Sequence, residues 1–117
     1  MSEIVIVGLG YIGLPTAALI ASNKIRVHGV DINPEVVATI NKGEIHIVEP
    51  ELDVAVKESV KEGYLTAHLE AKEGDVYLIV VPTPFRGNHE PDISYVEEAT
   101  KGIIPFLKEG DLYIIES

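Results

Sequence analysis

A chain of 117 residues allows one domain at most, and 46% hydrophobic residues argue against disorder. Nineteen Asp and Glu against 9 Lys and Arg give a net charge of −10, which would repel a phosphate backbone and excludes nucleic acid as an expected partner. With no Cys there is no disulfide framework, no thiolate metal site and no thiol nucleophile.

The chain opens on an apolar run, Ile4-Val5-Ile6-Val7, that reads as a strand. Ser2-Glu3 before it lacks the positive charge of a secretory signal, and no apolar run reaches the ~18 residues of a membrane span. A cytoplasmic protein without membrane contact is therefore expected. Gly8-Leu9-Gly10-Tyr11-Ile12-Gly13 follows and opens a helix predicted over 11–22, with Pro15 in its first turn. A second strand, 26–30, ends at Asp31. Asn33-Pro34 reads as an N-cap and first helical position for a helix over 34–41. The helix predicted over 51–62 carries Asp53, Lys57 and Lys61 at one-turn spacing, a solvated face. A weaker strand signal covers 64–67 and a stronger one 76–81. A helix over 94–107 could be capped by Asp92 or Ser94, with Glu97 completing a capping box on Ser94, and 112–115 reads as a last strand.

The strand runs are continuous rather than alternating, as in a parallel sheet covered on both faces. Strands alternating with helices and joined by right-handed connections imply an α/β fold: a Rossmann-type doubly wound parallel sheet, order 3-2-1-4-5, truncated after the fifth strand. The loops after the first and fourth strands then open on one crevice. In the first loop Gly8 permits a tight turn, Gly10 lets backbone approach a pyrophosphate, and Gly13 lets helix and strand pack closely. Asp31, at the end of the second strand, suits the two ribose hydroxyls. Its charge opposes a 2′-phosphate, and residues 32–41 contain no Lys or Arg, so NAD is expected rather than NADP. FAD shares the same fingerprint. Thr83, fixed between Pro82 and Pro84 in the fourth-strand loop, is expected to face the same cofactor.

Four stretches carry a likeness to known proteins: residues 8–17, Val30-Asp31-Ile32-Asn33, residues 43–50 (Gly-Glu-Ile-His-Ile-Val-Glu-Pro) and residues 81–85 (Val-Pro-Thr-Pro-Phe). Together with residues 89–96 they resemble the nucleotide-sugar 6-dehydrogenases of the UDP-glucose/GDP-mannose dehydrogenase family, and the resemblance runs from Ile4 to Ser117. Residues 43–50 and 89–92 are most like the members acting on UDP-N-acetyl-D-mannosamine. The resemblance implies oxidation of a sugar C6 alcohol to the uronic acid with two NAD, through an aldehyde held on a cysteine and hydrolysis of the resulting thioester. It implies that Tyr11 and Ile12 offer backbone N–H groups to the pyrophosphate, that Asp31 holds the adenosine ribose, and that Thr83 contacts NAD. Gly8, Gly10 and Gly13 would shape the site.

The catalytic cysteine of such enzymes and its Lys and Asn partners have no counterpart here. Residues 1–117 are expected to be a partial NAD-binding domain, without the central helix and the UDP-sugar-binding domain, carrying no catalytic residue and inactive alone. A UDP-sugar substrate and a homo-oligomer are expected of the full-length protein, and self-association of this chain through the 112–115 edge or through helix faces left exposed. Alternatives are the same chemistry on UDP-glucose or UDP-N-acetylglucosamine, or a stand-alone NAD-sensing module. His28, His46, His68 and His89 show no ligand spacing for a metal. His46 and His89 read instead as parts of ordered loops, hydrogen-bonded so as to brace the crevice.

Overall fold

The structure is a computed structural model, and it describes residues 3–80 and the strand Leu112–Ile115. Five strands, β1 (Glu3–Val7), β2 (Arg26–Val30), β3 (Leu65–His68), β4 (Val76–Ile79) and β5 (Leu112–Ile115), form one parallel sheet in the order β3-β2-β1-β4-β5. Three helices complete the described part: α1 (Gly13–Ser22), α2 (Pro34–Asn41) and α3 (Leu52–Lys61). This is the expected doubly wound order. The helix predicted over 94–107 with its caps, the 82–85 turn and His89 lie outside the described residues.

The continuous apolar runs arise because both sheet faces are buried, so successive residues find a core in either direction. Ile4, Ile6, Val27, Leu65, Ala67 and Leu78 point to the core shared with the three helices. Val5, Val7, Val30, Tyr77 and Ile79 are buried on the opposite face. Leu14, Ala17, Ala18 and Ala21 form the buried side of α1, and the small size of the three alanines lets the helix pack closely against β2 and α3.

Local chemistry sets the helix ends. The Asn33 side chain accepts the Glu35 N–H at 2.9 Å, with Pro34 at the first helical position, as the sequence predicts. Other boundaries move. α1 starts two residues later than expected, because residues 8–12 are spent in a turn and the Leu14 N–H reaches back to the Gly10 carbonyl at 3.1 Å. α3 loses a residue at each end, with Glu51 in a left-handed conformation (φ 65°) at its start. β3 shifts one residue onward, since it is the pairing of Val27–Val30 with Leu65–His68 that defines it. β4 ends at Ile79, although the Val80 N–H still reaches the Val7 carbonyl at 2.7 Å.

The edge strand β3 carries a side-chain clamp. Asn41, the last residue of α2, donates from Nδ2 to the Ala67 carbonyl and accepts the Ala67 N–H on Oδ1, both at 2.9 Å. At the other side of the described sheet centre, Glu3 and Asp75 tie the starts of β1 and β4 together. The Glu3 N–H donates to Asp75 Oδ2 at 2.8 Å and the Asp75 N–H to the Glu3 carbonyl at 2.7 Å.

Candidate functional site

The chain leaves β1 at its carboxyl end, where β2 and β4 lie on either side of it, and turns into α1 through residues 8–12. That is the topological switch point, where open α/β sheets have their ligand crevice. Gly8 sits at φ 101°, a backbone conformation that L side chains rarely adopt, and its N–H donates to the Val30 carbonyl at 2.7 Å. A Cβ at Gly13 would overlap the Gly8 carbonyl oxygen outright, so that glycine serves the packing of α1 against the loop. Gly10 differs: a Cβ there would meet nothing within 4 Å. The protein's own packing does not require Gly10, and the open space over it is available to a ligand.

The N-terminus of α1 has the features of an anion site. Its N-cap is Ile12, with no side-chain cap, and the first turn holds no acidic residue. Among the described residues the backbone N–H groups of Gly10, Tyr11 and Ile12 make no hydrogen bond. Unpaired N–H groups at the positive end of a helix dipole attract a phosphate. Beside them stands Asp31, half-buried at the end of β2. Its Oδ2 accepts the Leu9 N–H and its Oδ1 the Asn33 N–H, both at 3.0 Å. Each carboxylate oxygen retains a further lone pair, enough to receive two neighbouring hydroxyls. Apolar surface rims the same edge, with Tyr11 at 73%, Ile12 at 44% and Ile32 at 83% exposure.

Gly8, Gly10, Tyr11, Ile12, Gly13 and Asp31 thus meet at one end of the sheet, whereas Thr83 lies outside the described residues. Sequence reasoning missed the link between the two halves of this cluster. Leu9, to which the sequence pattern assigns no role, is fully buried in the main core and lends its N–H to Asp31. An apolar residue flanked by glycines was the available signal. The loop reading of His46 needs correction: this residue is exposed and makes no hydrogen bond among the described residues, and buried Ile47 anchors its segment instead. No group of three metal-ligating side chains occurs among the described residues, nor any helix long and apolar enough to cross a membrane.

Comparison with known proteins agrees with this geometry. The sequence model of the UDP-glucose/GDP-mannose dehydrogenase family, NAD binding domain, matches residues 2–117. A UDP-N-acetyl-D-mannosamine dehydrogenase of Yersinia pestis is 59% identical over 112 residues, 96% of this chain and 27% of that protein. An NDP-N-acetyl-D-galactosaminuronic acid dehydrogenase of Ralstonia nicotianae is 56% identical over 112 residues, covering 96% and 26%. The solved UDP-N-acetyl-mannosamine dehydrogenase Cap5O of Staphylococcus aureus superimposes with a TM-score of 0.96 at 41% identity, over 99% of this chain and 29% of that one. The chain thus spans under a third of the length of these relatives. By its glycine loop, its strand order and these matches, the chain belongs to the UDP-glucose/GDP-mannose dehydrogenase family, as its NAD-binding domain.

Proposed function

We propose that Gly8, Gly10, Tyr11, Ile12 and Gly13 form the pyrophosphate cradle for NAD⁺, that Asp31 holds the adenosine ribose, and that Thr83 adds a contact from the loop after β4. The observation that carries this reading is the uncapped N-terminus of α1, whose free amides lie beside the carboxylate of Asp31. NAD⁺ bound there supplies a hydride acceptor. The residues of this chain bind and orient it: backbone N–H groups take the pyrophosphate, and Asp31 accepts from the ribose hydroxyls while repelling a 2′-phosphate.

In the full-length protein this domain serves the oxidation of UDP-N-acetyl-D-mannosamine to the uronic acid with two NAD⁺. Relatives bearing that dehydrogenase name at 56–59% identity support the choice of sugar. Residues 1–117 act as a partial NAD-binding domain with no catalytic residue of their own; the central helix and UDP-sugar-binding domain complete the enzyme, which is a cytoplasmic homo-oligomer.

Calorimetric titration of the chain with NAD⁺ and NADP⁺ tests the site. NAD⁺ should bind and NADP⁺ should not, and Asp31→Ala should weaken NAD⁺ by about tenfold or more through loss of charge-assisted hydrogen bonds. Equal binding of the two cofactors, or an unaffected Asp31→Ala variant, would contradict the role given to Asp31.

A further inference from the structure

We infer that Gly29, in the middle of β2, is a positioning residue for the glycine loop and acts through the side chain of Leu9. Gly29 is buried and sits on the sheet face that looks toward the helices, between Val27 and Asp31 along the strand. A Cβ added there would lie 2.9 Å from both Cδ1 and Cδ2 of Leu9 and 3.4 Å from its Cγ. Real Cβ contacts do not come that close, so any larger residue at 29 must displace Leu9. Leu9 cannot yield freely: it is fully buried and belongs to the main core, with Leu14 and Val27 in the same cluster.

Displacement of Leu9 is transmitted to the loop because three consecutive residues, the last two of β2 and Asp31 just after it, hold it. Gly29 gives the Leu9 side chain its seat. The Val30 carbonyl accepts the Gly8 N–H at 2.7 Å, and Asp31 Oδ2 accepts the Leu9 N–H at 3.0 Å. With the Leu9 side chain down on Gly29 and its N–H turned to Asp31, the next amides, from Gly10 to Ile12, are the ones left for a ligand. Gly29 therefore has a task distinct from that of Gly8, Gly10 or Gly13. Its lack of a side chain, which leaves room for Leu9, decides where the cradle stands relative to Asp31. For its effect on NAD⁺ the inference rests on the proposed cofactor site, whereas its effect on the loop is independent of that reading.

The test uses Gly29→Ala and the compensating pair Leu9→Val/Gly29→Ala, which carries the same number of side-chain carbons as the original pair. Amide hydrogen exchange is followed at Gly8 and Leu9, with Val27 as the reference for global opening, since the Val27 N–H donates to the Tyr64 carbonyl at 2.7 Å within the core. In Gly29→Ala the Leu9 amide should exchange about tenfold faster relative to Val27, and NAD⁺ should bind about tenfold more weakly, as overpacking of this size implies. The paired variant should return both towards the original values. If Gly29→Ala fails to fold while the pair folds, the same coupling is demonstrated. Unchanged exchange at Leu9 in Gly29→Ala, or no recovery in the pair, overturns the inference. Failure of the unaltered chain to bind NAD⁺ would overturn the cofactor site, and the exchange ratio would still decide the role of Gly29.

Discussion

Asn41 takes the place of a neighbouring strand for one residue of β3. Its amide offers one donor and one acceptor in the spacing of a peptide group, and Ala67 uses both. Asn41→Asp keeps the shape but removes the donor and sets a carboxylate oxygen against the Ala67 carbonyl. A loss of about 1–3 kcal/mol is expected, read as a lower urea midpoint at unchanged slope. His68 supplies a second case. His28 places Nε2 3.1 Å from Glu3 Oε1 and Nδ1 3.4 Å from the Thr66 hydroxyl. The Thr66 hydroxyl also shares a hydrogen bond with His68 Nε2 at 2.9 Å. Burial, then the Lys72 charge, then His28 hold the His68 pKa below its ordinary value. The unfolded chain therefore takes up this proton first as pH falls. The stability is complete above the ordinary histidine value and is lost as pH drops through it, until folded His68 itself protonates. Denaturation at about pH 7.5 and about pH 5.5 should show a larger loss for the original chain than for His68→Gln, which cannot titrate. Equal losses would refute the assignment.

At the level of elements, α2 and α3 begin in opposite ways. α2 has a side-chain cap on Asn33 and a proline in place, whereas α3 starts from Glu51 in the left-handed region with no side-chain cap. A left-handed L-residue costs roughly 1–2 kcal/mol, of which glycine's entropy cost takes back a part, so Glu51→Gly should raise stability by about 0.5–1 kcal/mol. Thermal unfolding of the two chains checks this; a lower midpoint for the variant would mean that Glu51 contributes something its backbone angle does not reveal. The α2 boundary was legible because Asn-Pro caps by contacts within a few residues. The start of α1 was misplaced for the converse reason. Tyr11 and Ile12 suit a helix by pattern, but the turn at Gly8 and the contact of Gly13 with its carbonyl take up those residues before the helix begins.

For the whole molecule, the proposed function assigns cofactor holding to residues 1–117 and sugar recognition to other parts of the full-length protein. The relatives at 56–59% identity include dehydrogenases named for different sugars, as expected if residues 1–117 serve mainly the cofactor common to them. The 117-residue chain should accordingly yield no NADH with UDP-N-acetyl-D-mannosamine, while the full-length protein should do so and prefer it over UDP-glucose. Absorbance at the NADH band measures both, and turnover by the chain alone would refute the division. Light scattering of the full-length protein should give a multiple of the single-chain mass.

The sequence by itself determined the parallel sheet and its order, the glycine loop, the acid at the end of β2 and the cap of α2. Each rests on periodicity or on spacing over a few residues, where chain geometry leaves little freedom. Only the tertiary structure decided that Asn41 clamps Ala67, that His28 and His68 bring their rings to 5.7 Å, and that Leu9 seats on Gly29 while bonding Asp31. Those partners lie far apart in the chain and meet through strand register. Pairing Val27 with Leu65 puts His28 beside Thr66 and Gly29 beside Ala67, and a slip of one residue would send every one of those side chains to the other face.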